Sequence, residues 1–285
     1  MPDQRKCRPQ ARKDNNFSPH SVCNSTADTL QSSVATVHLT GGKHARLRVY
    51  CLPPSGCGPE YYAPWTRHAP AELEICSFSL PGRGQRSGEP SQTDPRRLAA
   101  EIAAAINGCD DPRPFAVFGH SVGALIAYLA TCTLRHSKNR TPDLLALSAL
   151  PAPHLGLYTA ALPPRLAAGL AGLTDLIGPL PESLIHTPMA AALCTPILAD
   201  LLLLLHYRHS PEEAPLDLPL SLYGATHDPV TDTSTLTAWN ELVTTPTTPR
   251  LFPGAHTYPA DHTDALVHQL THDLATAGTS DRACE

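Results

Sequence analysis

The sequence predicts an α/β fold built on a mostly parallel sheet. Three observations carry that prediction. Apolar runs of strand length alternate with stretches whose apolar residues recur at helical spacing. The loops after the early strands are rich in Gly and Pro, as in Pro53-Pro54-Ser55-Gly56-Cys57-Gly58 and Pro81-Gly82-Arg83-Gly84-Gln85-Arg86. One apolar run, residues 114–118, passes through Gly119-His120-Ser121-Val122-Gly123 into a Pro-free apolar helix at 122–134.

Taken in order, residues 1–33 are polar, with Arg5, Lys6, Arg8, Arg12 and Lys13 near the start, and show no hydrophobic period. A disordered tail is expected there. Residues 34–39 alternate weakly and suit an edge strand; 47–52 and 73–80 are better strands. Leu98, Ile102, Ala105 and Ile106 lie on one face of a helix over 96–106. The strand at 114–118, the helix at 122–134 and a buried strand at 144–150 complete the first part of a core, 34–153. The alternation then stops. Between Leu155 and Tyr207 the charged residues are Arg165, Asp175, Glu182 and Asp200, in a background of Leu, Ala and Pro. Residues 154–215 are expected to form an insertion of two to four short helices lying over the site as a lid. The core resumes at 216–276 with strands at 218–223 and 249–252, a helix at 234–243 carrying Trp239, and a closing helix at 261–274; residues 277–285 are expected to be flexible.

Composition narrows the function. The chain has 285 residues, 42% hydrophobic and 16% charged, with a net charge of −5, so neither nucleic acid nor a membrane surface is expected as a partner. The greasiest run, 197–205, is interrupted by Asp200 and is shorter than the ~20 apolar residues a bilayer needs. The nine Cys form no C-x-x-C pair and no zinc spacing, so no metal is expected. Cys51, Cys76 and Cys132 lie in apolar runs and read as core residues. With no secretory leader visible, a cytoplasmic setting follows.

The chemistry centres on Ser121. A strand that turns into a helix through Gly-x-Ser-x-Gly holds its serine in a strained conformation at a helix N-terminus, where the hydroxyl is exposed to a reacting carbonyl. Such a serine needs a histidine base, and the histidine needs a carboxylate to fix its tautomer. In the α/β-hydrolase fold, a mostly parallel central sheet with helices on both faces, these follow in the order Ser, Asp, His. Ser121, Asp228 and His256 supply that order, Asp228 just beyond a strand and His256 in the loop before the last helix. His227 is the rival base and Asp232 the rival acid. His120 reads as structural, His262, His268 and His272 as surface residues of the last helix, and Asp261 and Asp264 as first-turn helix residues. The oxyanion hole is expected from two backbone amides, that of Val122 and one from the loop after Leu52, with Ser55 the candidate.

Six segments carry a family resemblance: Leu52-Pro53-Pro54-Ser55-Gly56-Cys57, Pro81-Gly82-Arg83-Gly84-Gln85-Arg86, Gly119-His120-Ser121-Val122-Gly123-Ala124, residues 224–229, Trp239, and Gly254-Ala255-His256. Through them residues 45–275 resemble the type II thioesterases that accompany modular polyketide synthases and nonribosomal peptide synthetases. Three positions depart from the family pattern: Ser55 stands for Ala, Cys57 for the second Gly, and Thr257, followed by Tyr258, for Phe. They leave the triad intact and bear on the shape of the acyl pocket. The resemblance implies a serine thioesterase with no cofactor of its own. It would hydrolyse acyl groups from the phosphopantetheine arms of acyl or peptidyl carrier protein domains through an acyl-serine, clearing stalled or misprimed assembly lines. The alternatives are a chain-releasing thioesterase or acyltransferase and a carboxylesterase on small free esters. A monomer is expected. Arg83 and Arg86 suit either an acidic carrier protein or, as the preferred reading, internal ion pairs.

Overall fold

The apolar runs become seven strands of one sheet in a computed structural model that describes residues 34–41, 44–136, 140–178, 187–210 and 214–280. The tail expected at 1–33 and the end of the chain from 281 lie outside the described residues. The strands are β1 (Ala35–His38), β2 (Leu47–Leu52), β3 (Leu73–Ser79), β4 (Phe115–His120), β5 (Leu144–Ser148), β6 (Leu220–Ala225) and β7 (Arg250–Phe252). Their spatial order is β1-β3-β2-β4-β5-β6-β7. Only β1 is antiparallel; the other neighbours run parallel, with Cys51 opposite Phe118 and Phe118 opposite Ala146 in the central ladder.

Both faces of this sheet are covered, so the strands are apolar at successive positions. Alternate side chains enter different layers. Tyr50 and Leu52 of β2 join the layer formed with α1 (Pro95–Asn107) and α2 (Val122–Arg135), whereas Val49 and Cys51 face Trp65 and the closing helix. Helix α1 starts where Asp94 accepts hydrogen bonds from the Arg96 and Arg97 amides and Pro95 occupies the first turn. It buries Leu98, Ile102 and Ile106, one stripe at helical spacing. Helix α2 is buried almost all round, lying against the sheet on one side and α1 on the other.

The insertion contains α3 (Leu157–Ala167), a 3-10 turn at Gly169–Leu173, α4 (Thr174–Ile177) and α5 (Pro188–His206). Helix α5 runs for 19 residues and is not the short element expected. It contacts α1, α2 and α3, so its leucines find apolar partners on more than one side. The segment expected as one helix at 234–243 is divided into α6 (Thr233–Thr237) and a 3-10 helix, Ala238–Leu242. Asp232 caps α6 through a capping box with Thr235. The tighter second half seats Trp239, whose indole N–H donates to the Leu150 carbonyl at 2.7 Å. After β7 come α7 (Tyr258–Asp261) and α8 (Thr263–Ser280). Residues 277–280, expected to be flexible, continue α8, because Leu274 and Ala277 extend its apolar contact with the sheet.

Cys51 and Cys76 are core residues as expected. Cys132 is only half-buried, because it faces a surface groove between α1 and α2. No helix among the described residues is long and apolar enough to cross a membrane.

Candidate active site

The carboxyl ends of the central strands converge on Ser121. Its backbone has φ 55° and ψ −127°, a conformation costly for a residue with a side chain. The flanking glycines explain how it is held. A Cβ on Gly119 would lie 2.2 Å from the Gly123 carbonyl oxygen, and one on Gly123 would lie 2.3 Å from that of Leu52. Only glycine permits this approach of strand, helix and loop. The Ser121 amide donates to the Ser148 carbonyl at 2.8 Å, tying the elbow to β5.

Two further loops bring the other partners over the elbow. The amides of Thr226 and His227 donate to the carbonyls of Phe252 and Gly254, both at 2.9 Å. The loop after β6 is therefore laced to the loop after β7, which brings Asp228 and His256 side by side. His256 Nδ1 lies 2.8 Å from Asp228 Oδ2, and His256 Nε2 lies 3.0 Å from Ser121 Oγ. Asp228 Oδ1 accepts the Val230 amide at 2.8 Å, which fixes the carboxylate plane. A carboxylate only accepts, so Nδ1 of His256 carries the proton and Nε2 is left to accept from the serine hydroxyl. Both the His256 and Asp228 side chains are shielded from solvent.

The rivals stand elsewhere. His227 is exposed, with its ring against Thr226 Oγ1, and Asp232 is spent on the α6 cap. His268 and His272 are surface residues, as expected. His262 is not on the last helix; it sits half-buried between α7 and α8, its ring 6.0 Å from that of Phe252. Asp264 lies in the first turn of α8, exposed beside His68 and His268. Asp261 ends α7.

His120 is structural and has a definite task. Its Nδ1 lies 2.8 Å from Ser148 Oγ, which in turn lies 2.6 Å from the Tyr258 hydroxyl. Its ring packs 5.2 Å from that of His256. Burial, and then the charge that His256 can carry, hold the His120 pKa well below the usual histidine value. A neutral ring behind the base adds no positive charge to oppose an imidazolium at His256. Ser148 was not singled out from the sequence; Tyr258, noted there as bearing on the acyl pocket, instead supports His120 through Ser148 and is not among the residues lining the cavity beside Ser121.

Val122 opens α2, directly after the nucleophile. Ser55 is buried in the turn after β2, and that turn is drawn to the elbow by the contact of Gly123 with Leu52 and Pro53. Arg83 and Arg86 both pair internally. Arg83 meets Asp200 of α5, and Arg86 meets Glu89 and the Ser79 carbonyl. A cavity of about 90 Å³ opens beside Ser121. Leu150 and Val230 line it from the core, Tyr158 and Leu162 from α3, and Leu201 and Leu204 from α5. Away from the site, His38, Glu74 and Cys76 bring potential metal-ligand atoms within 4.8 Å of one another. Glu74 is already engaged by Arg48 and Arg113, so the cluster reads as an ion-pair network.

The chain is similar to known thioesterases. Gramicidin S biosynthesis protein GrsT of Aneurinibacillus migulanus is 29% identical over 215 residues, 74% of this chain and 82% of that protein. The solved structure of RedJ, a thioesterase from the prodiginine pathway of Streptomyces coelicolor, aligns with 29% identity and a TM-score of 0.70 over 80% of this chain and 86% of its own. YbtT, a type II thioesterase from the yersiniabactin pathway, shares the fold at a TM-score of 0.76 and 22% identity over 85% of this chain and 98% of its own. The family model described as the thioesterase domain matches residues 47–274, a span that begins with β2 and ends within α8, and the chain therefore belongs to the thioesterase family.

Proposed function

We propose that the chain is an editing thioesterase of the type II kind, hydrolysing acyl groups from the phosphopantetheine arms of acyl or peptidyl carrier protein domains. The observation that carries the proposal is the line Asp228–His256–Ser121, with His256 3.0 Å from the serine hydroxyl, opening on a small apolar cavity. Relatives named for gramicidin S biosynthesis and the prodiginine pathway support it.

In the reaction, Ser121 Oγ attacks the thioester carbonyl while its proton passes to His256 Nε2. Asp228 stabilises the imidazolium. The oxygen of the tetrahedral intermediate takes its hydrogen bonds from the amides of Val122 and Ser55. Collapse breaks the C–S bond, and His256 returns the proton to the departing pantetheine thiolate. Water, deprotonated by the same His256, then attacks the acyl-serine, releasing the free acid and restoring the serine. The cavity admits roughly three water-sized groups, which suits a short acyl chain of the kind left by a misprimed carrier.

The test is to load carrier proteins with several short acyl groups and follow release by intact-protein mass spectrometry, with Ser121→Ala as the control. Release of different short acids, abolished by the substitution, is the expected result. Transfer of the acyl group to an added amine, or release of a single elaborate chain, would replace editing with chain release. Turnover of simple oxoesters with no release from any carrier would remove the carrier assignment.

A further inference from the structure

Asp200 lies in the middle of α5, within a run of leucines, and its side chain is only 3% exposed. A carboxylate in such a place needs partners. Arg83, itself 5% exposed, grips it with both arms: Nη1 donates to Oδ2 at 2.6 Å and Nη2 to Oδ1 at 2.7 Å. The amide of Gly56 donates to the same Oδ2 at 2.8 Å. Arg83 Nη1 also reaches the Cys57 carbonyl at 3.1 Å. The turn after β2, the loop after β3 and the insertion helix thus meet at one carboxylate.

That contact bears on the central peptide of the turn. Residues 54–57 are closed by the Cys57 amide donating to the Pro54 carbonyl at 3.1 Å, and Gly56 has φ +78°. This is a type II turn, with the Ser55–Gly56 peptide rotated by about half a revolution from its orientation in type I. In the type I form the Gly56 amide would turn away from Asp200, and the Ser55 carbonyl would turn toward the carboxylate. The charge of Asp200 therefore selects one orientation. Ile197, three residues earlier on the same face of α5, closes the turn from above: a Cβ on Gly56 would lie 2.3 Å from Ile197 Cγ1.

Resting on the hydrolase mechanism proposed above, we infer that Arg83 and Asp200 are positioning residues which, through Gly56, hold the turn that presents the Ser55 amide to the oxyanion. The insertion helix is then part of transition-state stabilisation, beyond any role as a cover. With α5 displaced, the triad would stay whole and the oxyanion site would loosen. Neither Arg83 nor Asp200 needs to touch the substrate.

The experiment compares Asp200→Asn and Arg83→Lys with the parent enzyme, using p-nitrophenyl acetate hydrolysis and inhibition by a short alkyl trifluoromethyl ketone. Addition of Ser121 to that ketone gives a tetrahedral oxyanion. In Asp200→Asn, kcat is expected to fall about 10- to 100-fold with KM within about twofold, and the ketone Ki to rise by a matching factor. Arg83→Lys, which keeps the charge and loses the two-armed grip, is expected to show the same pattern with a smaller change. If Asp200→Asn fails to fold, Arg83→Lys carries the comparison. Folded variants with unchanged kcat and ketone Ki and only a lower Tm would overturn the inference, as would a change confined to KM. The oxoester keeps this test separate from the carrier-protein assignment: parent enzyme that hydrolyses the ester but releases nothing from carriers contradicts that assignment and leaves the comparison of variants intact.

Discussion

His256 Nε2 lies 3.0 Å from Ser121 Oγ, joining positions 135 residues apart in the chain. The contact depends on the lacing of the loops after β6 and β7, which also brings Asp228 to the far side of the imidazole. Because the three side chains act as a unit, their losses do not add. Ser121→Ala and His256→Ala are each expected to lower kcat/KM by about 10⁴-fold or more, and the double variant by little more than either alone. Asp228→Asn is expected to lose about 10²- to 10⁴-fold, since the amide oxygen stays with the Val230 N–H and its NH2 group faces Nδ1, favouring the wrong tautomer of His256. Steady-state kinetics on one thioester substrate check all four variants.

Much of this constellation was legible in the sequence. The Gly-x-Ser-x-Gly elbow is a local feature, fixed by steric contacts at Gly119 and Gly123. Asp228 and His256 follow strand ends, where this kind of sheet places its loops. The union of Arg83 with Asp200 was not legible, because 117 residues separate them and only packing decides which buried charge meets which. A single acid in an apolar helix was its one outward sign. The length of α5 and the continuation of α8 to Ser280 were missed for a related reason. Tertiary contacts, here with α1, α2 and the sheet, extend helices beyond what local composition suggests.

If the cavity beside Ser121 holds the acyl chain, its depth sets the length accepted. Leu201 lines it from α5, so Leu201→Ala is expected to deepen it and shift the kcat/KM ratio of octanoyl over acetyl substrates upward by about tenfold or more. The same change is expected to cost about 2–5 kcal/mol of stability by opening a hole in the core. A matched series of acyl thioesters, read beside a urea unfolding curve, separates the two effects. An unchanged length preference in a folded variant would show that acyl chains leave by another route.

Cys57 adjoins the turn that carries Ser55, yet its thiol is expected to be unreactive. Burial first, then the charges of Glu60 and Asp200, push its pKa up to about 11, against the opposing pull of Arg83. Its thiolate fraction at pH 8 is then about one part in a thousand. Iodoacetamide at pH 8 should leave Cys57 unmodified in peptide mass spectrometry while activity persists. Rapid alkylation at that residue would contradict the packing of the turn.

Acid should weaken the fold from the opposite end of the sheet. Burial tends to raise the Glu74 pKa, but hydrogen bonds with His38 and Arg48 and the charges of Arg48 and Arg113 outweigh it, and the net shift is downward. Asp111 is held low as well, chiefly by its hydrogen bond from Arg113. Carboxylates lowered in the folded state add stability above their unfolded values of about 4, and that stability is lost as pH falls through the folded pKa. Glu74→Gln is expected to cost about 3 kcal/mol at pH 7 by leaving Arg48 buried beside fewer acids. The deficit should narrow as pH falls through the folded pKa of Glu74, where the wild-type carboxylate is also protonated. Urea unfolding at several pH values checks the slope; a deficit that stayed constant with pH would mean that the pairing contributes nothing electrostatic.

The central claim is that Ser121 takes the acyl group from a carrier thioester, and a rapid-quench experiment tests it most directly. Protein mixed with an equal amount of butyryl-loaded carrier is stopped in acid within the first turnover and digested, and the peptide containing Ser121 is weighed. The expected result is a butyryl mass increment on Ser121 that rises and decays as the free carrier thiol and then the free acid appear, with no increment in Ser121→Ala. Release of acid by Ser121→Ala at the parent rate, with no adduct on Ser121 at any time, would contradict the mechanism.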